Sequence, residues 1–394
     1  MTTATSPTAA LKLTRREVAA LLLLFLVTRA ALLAIGTAAV IVLPSVEGPE
    51  YAHLLDGGPA LDMWYRWDTG FYTSIATYGY DWLNERQPAD DMAFLPLYPL
   101  LVHLASGLTP IGCALSPYWS TCTTLGGLLI SNLALLAALF LLYELARRRF
   151  GSAVAWRASV LLMITPNTIF LSGVYTEALF LLLCVLVFWL LERDRFVLAV
   201  LVAGFASLTR SVGVALYPAL LYAAWVGASA RSWRIARAAL AHLPPALFAG
   251  YILAAGFYVG EPLAYFTTYN ATWGRPTGTP VTVLAQYFSG EPVALFGWWL
   301  SWIDLAAAAA YLLLALAVFR LDRGWGLFAL FAILIPIASG TLIGMPRFGA
   351  VVFPFYIALA RWVDRPWRQV IVYASSIGLA LLFVTRFVTW RWIA

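Results

Sequence analysis

Residues 17–44 read "EVAALLLLFLVTRAALLAIGTAAVIVLP", with Glu17 and Arg29 as the only charges. At about 1.5 Å per residue, a helix of this length crosses the roughly 30 Å hydrocarbon core of a bilayer. Arg15 and Arg16 precede it, which places its start on the cytoplasmic side. A signal peptide has a shorter apolar core, without an arginine inside it. Residues 16–43 are therefore expected to stay as a first span, after a disordered tail of about ten residues. Apolar runs recur along the chain, at 119–145, 153–172, 175–191, 196–209, 211–229, 238–259, 295–319, 325–344, 348–363 and 370–390. That makes about eleven spans. The pair 196–229 is short for two crossings and reads as a broken hairpin, tolerated where its backbone is buried or lines a cavity.

Composition agrees. The 394 residues are 62% hydrophobic and 11% charged, where a soluble domain carries about 25% charge. The runs are continuously apolar, without the alternation of a β-barrel. The expected fold is an all-α polytopic membrane protein, one integral domain over residues 1–394. Its net charge of +6 resides in short clusters between the runs: Arg147, Arg148 and Arg149; Arg193 and Arg195; Arg231, Arg234 and Arg237; Arg320 and Arg323; Arg361, Arg365 and Arg368. Such clusters mark cytoplasmic loops and argue against a nucleic-acid partner. Arginine outnumbers the single lysine, Lys12, a usage that points weakly to a GC-rich bacterial genome and a bacterial plasma membrane.

The one sizeable polar region is 44–118, a first outer loop. It holds nine of the nineteen acidic residues against only Arg66 and Arg86. Within it lies "WYRWDTGFYTSIATYGYD", residues 64–81. Gly79 is a natural helix stop, and Asp68 stands at the start. Helical spacing puts Asp68 on one face with Trp64, Phe71, Tyr72 and Ile75. Aromatic rings suit a membrane interface; a carboxylate among them has two readings. It is an N-cap for the first free amides, or a catalytic base. Further along, "AFLPLYPLLVHLASGL" is expected to be an interfacial helix, because Pro96 and Pro99 interrupt it. A second outer loop, 260–294, carries the sequon Asn270-Ala271-Thr272.

Other charges gather on the same side. Glu177 sits at a tight outer turn in "NTIFLSGVYTEALFLLL". It reads as a functional acid or as half of an ion pair. Arg210 in "SLTRSVG" and Arg347 in "GMPRFGAVVFP" lie at outer ends of spans, against the positive-inside trend. They snorkel, or they clamp an anion such as phosphate. Arg29 needs a partner inside its span, and Arg386 and Arg391 read as interface anchors. Cys113 and Cys122 flank "ALSPYWST" and have the option of a disulfide in an oxidising compartment; Cys184 reads as a small hydrophobe. His53, His103 and His242 have no ligand spacing, so no metal or other cofactor is indicated. No P-loop, GxGxxG or GxSxG element is present.

Four motifs in order, "RWDTGFYTSIATYGYD" with "FLPLYPLL", "PNTIFLSGVYTEALFLLL" and "LTRSVG", resemble the PIG-V-like mannosyltransferase family, related to the second mannosyltransferase of GPI-anchor assembly. "MPRFGAVVFPFY" is similar to a late family element, more loosely, and Phe71 stands where the family often has a larger aromatic. The resemblance implies a GT-C fold with outer-face interfacial helices, a catalytic Asp in the first outer loop, here Asp68, and a polyprenyl-phosphate-linked sugar as donor. It implies inverting transfer to a lipid, glycan or protein acceptor. In that frame Arg210 and Arg347 neutralise the phosphate. Trp64, Trp67 and Tyr72 pack sugar rings, Tyr175 and Glu177 hold acceptor hydroxyls, and Arg66 and Tyr98 complete the substrate-binding set. The chain shows no large soluble C-terminal domain, unlike the oligosaccharyltransferase branch. The alternatives are a non-mannose donor, or a flippase or transporter, which should show repeat symmetry and charges along a transbilayer path.

Overall fold

The computed structural model describes residues 13–46, 54–55, 57–81, 90–108, 119–227, 230–271, 278–289, 302–391 and 393; all regular structure in them is helical. The first ten residues, Cys113, and the 295–301 part of one expected span lie outside these. Five helices are long and apolar enough to cross a membrane: Arg15–Val42, Ser120–Phe150, Arg231–Val259, Trp302–Phe319 and Pro366–Val388. Their outward faces are oily. Leu23, Leu26, Phe257, Leu313 and Val370 are each at least 59% exposed. Apolar surface on that scale is unstable against water and natural against lipid. The protein is an integral membrane protein.

The remaining apolar helices are short. Ser152–Met163 and Phe196–Ser207 have 12 residues each, and Glu177–Leu191 and Arg323–Ile337 have 15. At 1.5 Å per residue these reach about 18–22 Å, less than a bilayer core. One expected single span is broken, and two further breaks fall at or near boundaries between expected runs. The run 153–172 is a helix to Met163, a turn, and a second helix, Thr168–Ser172. Pro166 accounts for the turn, because it lacks a donor and drives its predecessor out of the α region. The run 196–229 breaks at Leu208–Arg210, continues as a 3₁₀ turn, Ser211–Ala215, and resumes as Leu216–Val226. Gly213 lets that turn fold back on its own helix, since a Cβ there would lie 2.5 Å from the Ala206 backbone. The third break separates Arg323–Ile337 from Met345–Gly349 and Phe353–Trp362, with Gly340 and Gly344 at positive φ.

Glu177–Leu191 is the central helix. It is apolar all round, which demands burial on every side, and it packs on Trp119–Phe150 and Phe196–Ser207. Arg29 finds its partners across the bundle in Ser172 Oγ (2.6 Å), Thr168 Oγ1 (2.7 Å) and the Met163 carbonyl (3.0 Å). Cys122 is disulfide-bonded and Cys184 is free and buried.

Two ends of the bundle differ in charge. Arg149 pairs with Glu192 and with Asp322, and Arg361 lies over the Phe150 ring. These contacts gather several of the basic clusters at one end. Glu177 begins the helix that ends at Leu191, so it stands at the opposite end. All three helix breaks open there.

Candidate active site

Asp68 opens the helix Thr69–Tyr78, yet its side chain makes no capping bond; only its carbonyl serves the helix, accepting from Phe71 N and Tyr72 N. The carboxylate is turned to Arg347, whose Nη1 donates to Oδ2 at 2.8 Å. Of the two readings for Asp68, position favours the cap and side-chain geometry does not.

Arg347 also donates through Nε to Glu177 Oε1. Arg210 donates through Nη1 to the same oxygen at 2.5 Å, and to Thr176 Oγ1 at 2.8 Å. The result is a chain of charges, Asp68–Arg347–Glu177–Arg210, each from a different helix start or break. Exposure is lowest in its middle: the side chains are 23% exposed for Asp68, 15% for Arg347, 0% for Glu177 and 10% for Arg210. Glu177 sits at the first turn of its helix, where free amides and the dipole favour a carboxylate.

Arg347 packs on two neighbouring rings. Its guanidinium carbon lies 4.8 Å from the Phe170 ring centroid and 4.9 Å from that of Tyr175. Asn167 Nδ2 and the Tyr311 hydroxyl both donate to the Pro346 carbonyl, at 2.9 and 3.1 Å, and so fix the turn that presents it. Arg210 stands 5.5 Å from the Phe348 ring. Beyond that ring lies a cavity of about 320 Å³, lined by Val212, Phe248, Tyr265, Tyr269, Pro336 and Phe348 among others. It is mostly aromatic and aliphatic, and it begins at Ser211, next to Arg210.

The structure brings Asp68, Glu177, Arg210 and Arg347 into direct contact. Trp67 precedes Asp68 at a positive φ of 56°. Tyr72, Tyr98 and Tyr175 sit behind the carboxylates as a buried cluster; the Tyr72 ring meets Tyr98 at 5.1 Å and Tyr175 at 6.2 Å, both edge-on. Burial pushes the Tyr72 phenol up, and Asp68 adds to the effect, so it stays neutral. The Tyr98 hydroxyl is bonded to Ser131 Oγ at 2.8 Å, and the Tyr175 hydroxyl donates to the Arg66 carbonyl at 2.9 Å.

Arg66 and Glu177, like Tyr72, Tyr98 and Tyr175, are placed inside rather than at an open surface. Arg66 is 1% exposed and donates to the Asp62 carboxylate (2.6 Å) and to the carbonyls of Asp62, Tyr65 and Val388. Glu177 Oε1 is shared by two arginines. The signal that finds the Arg66 pairing is its i, i+4 spacing from Asp62. Phe170, Asn167 and Thr176 belong to the site too; they lie in the motif "PNTIFLSGVYTEALFLLL", but nothing in their residue types singles them out within it.

The sequence profile described as Mannosyltransferase (PIG-V) matches residues 14–282, about two thirds of the chain. A GPI mannosyltransferase 2 from Cryptococcus neoformans is 33% identical over 150 residues, 38% of this chain and 34% of the relative. A human GPI alpha-1,6-mannosyltransferase 2 is 32% identical over 154 residues, 38% of this chain and 29% of that protein. The matched segments thus span about a third of these relatives' length. Among solved structures, ArnT from Cupriavidus metallidurans bound to undecaprenyl phosphate aligns with a TM-score of 0.48 at 15% identity, over 91% of this chain and 69% of that one. An oligosaccharyltransferase from Archaeoglobus fulgidus aligns at 0.43 and 15% identity, over 90% and 55%. On the profile match, the chain belongs to the PIG-V mannosyltransferase family.

Proposed function

We propose that this chain is an inverting glycosyltransferase of GT-C type. It moves mannose from a polyprenyl-phosphate donor to a hydroxyl of a lipid, glycan or protein acceptor, on the outer face of the membrane. The observation that carries the reading is the charge chain: a partly open carboxylate, Asp68, bonded to an arginine that a buried carboxylate holds in place. The mannose assignment leans on the family and on the names of the relatives.

In the reaction, the acceptor O–H gives its proton to Asp68 as the acceptor oxygen bonds to sugar C1. The C1–O bond to phosphate breaks on the opposite face, and its electron pair leaves with the phosphate. Negative charge therefore vanishes at Asp68 while it grows on the phosphate. Arg347 touches the first and stands with Arg210 as donor for the second, so it follows the charge without moving far. The cavity beyond Phe348 supports an apolar tail on the donor, with its phosphate at Arg210. The basic clusters at the other end support an extracytoplasmic site.

The test is transfer by the purified protein from polyprenyl-phosphate-mannose, with Asp68→Asn as control. The expected result is transfer by the wild type and none by the variant at an unchanged melting temperature. Full activity of Asp68→Asn would overturn the base assignment. For sidedness, Tyr78→Cys, at a site 57% exposed, should react with an impermeant maleimide on intact cells.

A further inference from the structure

The end of the C-terminal helix, Pro366–Val388, and the two residues after it pack on neighbours of both Asp68 and Arg347. Phe387 lies under the two rings that Arg347 packs on, 5.5 Å from Phe170 and 5.9 Å from Tyr175. Trp390 lies against Trp67, the residue before Asp68, with ring centroids 5.2 Å apart. Between them the Val388 carbonyl accepts from Arg66 Nε at 3.1 Å, and the Arg66 guanidinium is 5.6 Å from the Trp390 ring. Arg66 is in turn tied to Asp62, whose carboxylate also accepts from the amides of Leu54 and Leu55.

The backbone at this junction is unusual. Among the described residues, three non-glycine residues have positive φ: Trp67 at 56°, Asp194 at 56° and Trp390 at 60°. A bulky residue in the left-handed region is strained and persists only where its surroundings hold it. Two of the three, Trp67 and Trp390, pack against each other beside Asp68 with their rings tilted by 51°. Their contact with each other, and the Arg66 bond to the Val388 carbonyl, lie where such a conformation needs support.

We propose that Phe387–Trp390 is a positioning element of the active site, a clamp that sets the Asp68 carboxylate against the Arg347 guanidinium. It acts through Trp67 on one side and through Phe170 and Tyr175 on the other. The clamp lies beyond residues 14–282, the part that the family profile matches. Its catalytic consequence rests on the reading of Asp68 as the base; its geometric consequence does not.

The experiment uses the full chain in detergent, as wild type, Trp390→Ala and Trp390→Phe. Backbone hydrogen exchange over residues 64–78 reads the position of the Asp68 segment. In Trp390→Ala it should quicken about tenfold, while exchange in 177–191 and the melting temperature hold. Transfer from polyprenyl-phosphate-mannose should lose about a hundredfold in kcat with donor KM nearly unchanged, as expected for a misplaced base. Trp390→Phe keeps a ring on Trp67 and should restore most of both. Should Trp390→Ala not survive extraction, Trp390→Leu carries the same measurement. Unchanged exchange at 64–78, or wild-type kcat in the alanine variant, would overturn the clamp. Quickened exchange with no transfer even by the wild type would uphold the clamp and sink the transferase reading instead.

Discussion

The two ends of the helical bundle carry networks of the same ingredients. At one end Arg149 joins Glu192 and Asp322, while Arg148 and Arg193 share Glu144. At the other, Arg347 joins Asp68 and Glu177, and Arg210 shares Glu177. The first network is built on helix termini and short loops, with Arg149, Glu192 and Asp322 15–30% exposed. The second is built on breaks inside short helices, reaches 0% exposure at Glu177, and abuts an apolar cavity. Chemical composition alone does not separate a fastening from a site. Burial separates the two networks in cost, because removing one member of a buried set leaves a charge with nothing to neutralise it, whereas an exposed set falls back on water.

The largest expected difference is catalytic. Arg347→Gln removes the cation that faces both Asp68 and the proposed phosphate, and kcat should fall about 10²–10³-fold. Arg149→Ala at the other end should leave kcat within a factor of two or so, since it touches nothing that reacts. A similar loss in both variants would break the comparison. The next difference is in stability. Glu177→Ala leaves Arg210 and Arg347 without their shared carboxylate and should cost about 3–5 kcal/mol, read from thermal unfolding in detergent. Arg149→Ala should cost about 1 kcal/mol or less, including its contact with the Trp325 ring at 4.3 Å. The smallest difference is in salt dependence. Raising ionic strength from about 0.1 to 1 M shortens the screening length from roughly 10 to 3 Å. The stability cost of Arg149→Ala should then shrink further, and that of Glu177→Ala should hardly change.

Much of this was legible in the chain, and its limits have physical causes. Continuous apolar runs mark membrane helices because the bilayer imposes one length scale, and the ordered motifs locate Asp68. Helix breaks are uneven: the shortness of 196–229 announces the break at Leu208–Arg210, whereas the apolar run 153–172 reads as one span although it turns at Pro166. Asp68 and Arg347 lie 279 positions apart, and nothing local pairs them. Arg66 shows the opposite failure. It stands beside the key aspartate in sequence, but its guanidinium points to Asp62 and the C-terminal helix. Trp390 carries no signal at all, because its importance comes from a contact with Trp67 and from a left-handed backbone that only coordinates reveal.

The short helices also constrain how the chain is made. A 12-residue apolar segment is too short to be handed to the bilayer by itself, so each broken pair has to enter as a finished hairpin. Glu177 begins one helix and Arg210 follows the end of the next, and each alone would be a costly charge at membrane depth. Entering together they form a neutral couple. Arg347 emerges from the ribosome much later, so the nascent protein holds an acid–base couple that is already stable before its catalytic partner exists. The order of synthesis is thus written into the charge chain: the buried half is settled first, and the reactive half is completed only when the last helices arrive.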